Sequence, residues 1–115
     1  MTTLYGIKNC DSVKKAQKQF DNNQYSYQFH DFVKQGLSQQ ILNQWLQLTD
    51  WQTLLNKRST NYRQLPDELK QDLNEEKVIQ LLLENPKLVK RPVIVGDKGI
   101  LVGYNQAQID AWMAS

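Results

Sequence analysis

The chain has one cysteine and one histidine, and each scarcity closes off a kind of chemistry. A single cysteine cannot form an internal disulfide, and Cys10 with His30 cannot assemble a zinc site of the usual Cys/His kind. No bound metal is expected. No apolar run approaches the ~20 residues of a membrane helix, and the polar Lys8-Asn9-Cys10-Asp11 stretch comes too early for a signal-peptide apolar region. Charge of either sign is in short excess, with 14 Lys and Arg against 12 Asp and Glu, a net +2, scattered along the chain. Neither nucleic acid nor a membrane is therefore expected as a direct partner, and the cytoplasm is the expected compartment. The dinucleotide fingerprint, the Walker phosphate loop and the Gly-x-Ser-x-Gly elbow are all missing.

What is present fits one domain of 115 residues, enough to bury one continuous core. Residues 2–7 have the β-branched and aromatic content of a strand. Residues 11–22 carry Val13, Ala16 and Phe20 at helical spacing, and residues 25–32 alternate, with Tyr25, Tyr27 and Phe29 on one face and Ser26, Gln28 and His30 on the other. The chain thus opens β-α-β. A helical block follows. Ser38 is placed to cap a helix bearing Ile41, Leu42, Trp45 and Leu46, with Leu37 set to staple against Leu42. Asp50 is placed to cap a short turn with Trp51, Leu54 and Leu55. Residues 56–64 read as a polar loop, and Pro66 suits the first turn of a short helix. Asn74-Glu75-Glu76 starts a helix with a wide stripe of Val78, Ile79, Leu81, Leu82 and Leu83. The ending is β-β-α: residues 92–95 and 100–102 flank the turn Gly96-Asp97-Lys98-Gly99, and Asn105 can cap a helix buried at Ile109, Trp112 and Met113.

This order predicts an α/β thioredoxin-like fold, with a four-stranded mixed sheet and a helical insertion at about 37–90 between the β-α-β and β-β-α halves. Cys10 then falls directly after a strand and at a helix start, among unpaired backbone N–H groups and the positive end of the helix dipole. Those groups favour a thiolate nucleophile. Lys8 would reinforce them and Asp11 oppose them. The other reading of Cys10 is an inert small residue in a tight turn. Of the three arginines, Arg58 lies in the polar loop and Arg91 immediately precedes Pro92. A guanidinium fork suits a carboxylate or oxyanion, and the Arg91-Pro92 bond is a candidate for the cis form, which would expose backbone groups to an extended ligand. His30 reads as a surface residue, Trp45, Trp51 and Trp112 as core, and Tyr104 as a weak candidate to reach the Cys10 pocket.

Residues 5–16 (Tyr-Gly-Ile-Lys-Asn-Cys-Asp-Ser-Val-Lys-Lys-Ala), Leu54-Leu55-Asn56-Lys57-Arg58 and residues 88–93 (Leu-Val-Lys-Arg-Pro-Val) together resemble the arsenate-reductase-like (ArsC-like) family, nearest its short YffB branch, which is related to the Spx regulators. The resemblance implies a catalytic thiolate at Cys10 and a substrate-binding set of Arg58, Arg91, Pro92, Asp11 and Ser12. It also implies a glutathione-dependent thiol reductase with no bound cofactor, glutathione serving as co-substrate and a small thiol or disulfide as partner. Two departures narrow the family's activities. Arsenate reductases of this type place an arginine directly after the Leu-Leu pair, where this chain has Asn56, and another after the hairpin, where it has Gly103-Tyr104; arsenate reduction is thereby disfavoured. Spx regulators carry Cys-x-x-Cys, whereas Val13 stands here, so an internal disulfide switch is excluded. The competing expectation is a Spx-like protein that docks on RNA polymerase or another protein without catalysis.

Overall fold

A computed structural model describes all residues from Met1 to Ser115. The chain divides into two compact units, 1–35 with 91–115, and 36–90. The first holds β1 (Thr2–Gly6), α1 (Asp11–Asn22), β2 (Tyr27–Asp31), β3 (Val93–Gly96), β4 (Gly99–Val102) and α6 (Gln106–Ala114). The strands form a single sheet in the order β2-β1-β3-β4. The α1 crossover brings β2 parallel to β1, Thr2 facing Tyr27 through to Gly6 facing Asp31, as a parallel pair requires. β3 runs antiparallel to β1 and β4 antiparallel to β3, giving the mixed thioredoxin-like sheet.

Strand period and helix period agree on where the core lies. Residues of β1 alternate buried and half-buried, and Leu4 joins Val13, Ala16 and Phe20 of α1, Ile94 of β3, and Ile109 and Trp112 of α6. Gly6 ends β1 against the first turn of α1 so closely that a Cβ there would lie 2.6 Å from Val13 Cγ2. The hairpin closes on Asp97-Lys98, with Gly99 at φ +114, a conformation that favours glycine. The Lys98 ammonium reaches back to the Trp112 carbonyl, placing a cation at the negative end of α6.

The second unit contains α2 (Gln39–Leu46), α3 (Trp51–Leu54), α4 (Thr60–Arg63) and α5 (Glu75–Glu84), with 3-10 turns at Asp67–Lys70 and Pro86–Leu88. Its buried side chains include Leu42, Trp45, Leu54, Val78, Leu82 and Leu88. An isolated antiparallel bridge pairs Leu55 with Val89. Two hydrogen bonds fix it, Asn56 N–H to Leu88 O at 2.9 Å and Lys90 N–H to Leu54 O at 2.8 Å.

Several details differ from the sequence expectation. The segment 56–64 is not all loop, because the Ser59 hydroxyl accepts from Tyr62 N–H at 3.1 Å and starts α4. One turn is too short to show apolar periodicity. Pro66 stands at the N-cap of the 3-10 turn instead of inside it, its fixed φ serving to enter the turn. His30 is half-buried, its ring tilted against Tyr5 at 5.0 Å between centroids. Trp45 and Trp112 are buried but Trp51 only half so, since it begins a one-turn helix.

Candidate active site

Every α-helix must satisfy or expose the N–H groups of its first turn, and five of the six here do so with a side chain. Ser38, Asp50, Ser59, Asn74 and Asn105 each accept from the amide three residues on. The exception is α1. Its N-cap is Cys10, in extended conformation at φ −115 and ψ 125, with no side-chain cap hydrogen bond. The first helical bond runs from Lys14 N–H to Cys10 O at 2.9 Å, so the amides of Asp11, Ser12 and Val13 precede the ladder. A sulfur replaces the usual oxygen at the one helix start that adjoins a strand end packed on glycine.

The sheet brings a second group to this end of the molecule. Tyr5 pairs with Val93, so β1 leaves the sheet toward Gly6-Ile7 where β3 enters from Arg91-Pro92. The Arg91-Pro92 peptide is cis. Gly103 N–H donates to Pro92 O at 2.8 Å and Phe32 N–H to Gly6 O at 3.0 Å, extending the hydrogen-bonded frame one step past the strands at this edge. Cys10 and Ser12 are half-buried, Asp11 is exposed, Arg91 is half-buried and Pro92 buried. Cys10, Asp11, Ser12, Arg91 and Pro92 thus all sit at the C-terminal end of β1. Burial pushes the Tyr5 phenol above its ordinary value at the same strand end.

Arg58 belongs to the helical unit, where its N–H donates to Asn56 Oδ1 at 3.1 Å. Its exposed side chain lines an open pocket of about 380 Å3 with Lys57 and Lys90, and no carboxylate borders that pocket. Tyr104 does not point to Cys10. Its hydroxyl donates to Gln19 Oε1 at 3.1 Å, about two and a half turns further along α1. Sequence reasoning missed Gly6, although a glycine at the end of a strand just before a chemically interesting turn was the available signal. It also missed the Tyr5–His30 contact, which only strand register creates. No cluster of three His, Cys, Asp or Glu side chains able to hold a metal occurs, and no helix is long and apolar enough to cross a membrane.

The ArsC family model matches residues 5–112. The chain belongs to the ArsC family. An uncharacterized protein of Haemophilus influenzae is 40% identical to it over 114 residues, covering 99% of this chain and all of the relative. The global transcriptional regulator Spx of Lactiplantibacillus plantarum is 30% identical over 111 residues, 95% of this chain and 83% of that one. Among solved structures a YffB protein superposes with a TM-score of 0.93 at 38% identity, covering 98% of this chain and 99% of that chain. An arsenate reductase (ArsC) related protein from Brucella melitensis superposes with a TM-score of 0.77 at 38% identity, covering 96% of this chain and 92% of that chain. Both a reductase-related and a regulator relative are thus at hand. Cys10 of this ArsC chain occupies the junction between β1 and α1.

Proposed function

We propose that the protein is a glutathione-dependent thiol reductase in which Cys10 is a monothiol nucleophile. The observation that carries this reading is the cap inventory: oxygen acceptors start five helices, whereas a half-buried sulfur with no cap hydrogen bond starts the sixth. Thiolate at that position meets amide donors and the positive helix end. It attacks the glutathionyl sulfur of a mixed disulfide, forming a Cys10–glutathione disulfide as the original S–S bond breaks and the substrate leaves as a thiolate. A second glutathione thiolate attacks the glutathionyl sulfur of that bond, releasing oxidised glutathione and restoring the Cys10 thiolate. One glutathione thiol is consumed per turnover, the other half of the oxidised glutathione coming from the mixed disulfide itself, so neither a second cysteine nor a metal is required.

Arg91 supplies the carboxylate contact in this reading, and the backbone around Pro92 offers pairing to the extended tripeptide. Asp11 and Ser12 lie in the first turn beside the reacting sulfur and enter as groups that orient the substrate. Arg58 enters as the further anion-binding residue that the family resemblance implies. The test is turnover of the mixed disulfide of 2-hydroxyethanethiol and glutathione. Wild type should consume it with glutathione, and Cys10→Ser should not; full activity in Cys10→Ser would refute the mechanism.

The 30% identity to Spx favours a second reading, a regulator that docks on RNA polymerase or another protein. A protein of that kind shows no glutathione-dependent turnover, and its wild-type and Cys10→Ser forms bind purified RNA polymerase equally well.

A further inference from the structure

The helical unit has a groove that the thiol chemistry does not use. One wall is the 3-10 turn Asp67–Lys70, which presents Glu68 and Leu69, and the other is α5, which presents Glu76, Gln80 and Glu84 at four-residue steps along one face. The cavity is about 450 Å3. Leu81 lies in it nearly buried at 7%, while Leu69 is 46% exposed, one of four large apolar side chains left so open in the chain.

The charges around this groove do not cancel, because three glutamates, Glu68, Glu76 and Glu84, line it against the single cation Lys77. Lys77, which lines the groove, is held by the carbonyls of Asp72 at 3.0 Å and Gln71 at 3.4 Å, and its backbone N–H donates to Asn74 Oδ1 at 2.9 Å. Lys70 donates to Arg63 O at 3.1 Å, lies 5.3 Å from the centre of the Tyr62 ring, and is 4.0 Å from Asp67. Glu68, Glu76 and Glu84 have no cationic partner within ion-pair distance. The result is an apolar trough with braced walls and a carboxylate rim, in a chain whose overall charge is positive.

We propose that this groove docks a basic amphipathic helix from a protein partner. Charge selects the sign of the partner, since three rim carboxylates suit Lys or Arg and reject an acidic peptide or an anionic membrane. Shape selects the helix. Glu76 and Glu84 stand about 12 Å apart along α5, so cations roughly two turns apart on a helix laid along the trough meet both, while aliphatic residues on the same face cover Leu69 and Leu81. The site is independent of Cys10 and stands whether or not the reductase reading does.

The probe is a synthetic 14-residue amphipathic helix of leucine and lysine, with a leucine and glutamate counterpart as control, titrated into the full chain and followed by backbone amide chemical shifts. Expected shifts fall on residues 67–84, for the lysine peptide only. Glu76→Lys with Glu84→Lys should weaken binding by about tenfold or more, and Leu69→Ser should weaken it severalfold at unchanged rim charge. All three positions are exposed, so the variants should keep the wild-type melting temperature within a few degrees. Cys10→Ser should bind as wild type does. Shifts scattered over the surface, affinity insensitive to Leu69→Ser, or equal binding of the glutamate peptide would each overturn the proposal.

Discussion

The helical unit starts every one of its α-helices by one rule, and the sheet unit departs from that rule once. In the helical unit, 36–90, Ser38, Asp50, Ser59 and Asn74 each spend a side-chain oxygen on one amide of the first turn. In the sheet unit, α6 follows the same rule through Asn105, but α1 begins on Cys10 and leaves its first amides uncapped. The difference separates groups that hold the fold from a group that is left available. Caps are stability devices worth roughly 1 kcal/mol each, so a helix without one implies either a weaker helix or a ligand in place of the cap.

The largest effect that sharpens this contrast is kinetic. Arg91→Ala should raise KM for a glutathione mixed disulfide by about tenfold to a hundredfold, the loss expected of one or two charge-assisted hydrogen bonds of about 1.5–3 kcal/mol. A neutral aromatic disulfide should show much less change. Equal loss with both substrates would assign Arg91 to the fold of the β3 start and detach it from the site. Next is Gly6→Ala, where the new methyl would meet the buried Val13 side chain at 2.6 Å. Overpacking of that kind costs about 1–3 kcal/mol, measured by chemical denaturation. Because Val13 opens α1 three residues after Cys10, the same variant should alter the alkylation rate of Cys10. An unchanged rate would mean that the close β1–α1 approach serves packing alone.

A third comparison exchanges the two kinds of helix start. Asn74→Ala, which removes the hydrogen bond to Lys77 N–H, should cost about 1 kcal/mol of stability and leave thiol transfer intact. Cys10→Ala should do the reverse, removing turnover while shifting stability by only a few tenths of a kcal/mol, since no cap bond is lost. If Cys10→Ala proved as destabilising as Asn74→Ala, Cys10 would be a structural residue and the contrast between the units would collapse.

The sequence made some of this legible and hid the rest for physical reasons. Local signals sufficed for α1, α2, α5 and α6, because caps and a 3.6-residue apolar stripe are both encoded within a dozen residues. They sufficed for the hairpin, where Gly96-Asp97-Lys98-Gly99 names its own turn. α4 stayed hidden because one turn of Thr60–Arg63 has no period to read. Cys10 was legible as a strand-to-helix residue, but its status as the lone uncapped start needed all six helix ends to be seen together. Tyr5 and His30 meet only because β1 and β2 pair in one register, and no local pattern states that register.

The smallest predicted effect lies within the sheet unit, between the two ends of β1. At the end away from Cys10, the Thr2 hydroxyl accepts from Trp112 Nε1 at 3.1 Å and is left to donate to the Tyr25 oxygen at 3.2 Å, and Lys98 Nζ lies 3.3 Å from that same oxygen. The hydrogen bond from Thr2, and after it the Lys98 cation, hold the Tyr25 phenol below its ordinary value despite some desolvation. At the Cys10 end burial raises Tyr5, and on β2 burial followed by the Asp21 charge raises Tyr27. Phenolate absorbance should therefore show one tyrosine ionising early, lost in Tyr25→Phe and delayed in Lys98→Met. The signs differ for stability. Tyr25, depressed in the folded state, adds stability as pH rises through its folded value toward its unfolded one. Tyr5 and Tyr27, raised in the folded state, contribute fully below the unfolded value and lose that contribution as pH climbs from it through their folded values. Tyr5→Phe should accordingly flatten the alkaline loss of stability, and Tyr25→Phe should steepen it. The opposite pair of slopes would show that Tyr25, not Tyr5, is the phenol shielded from water.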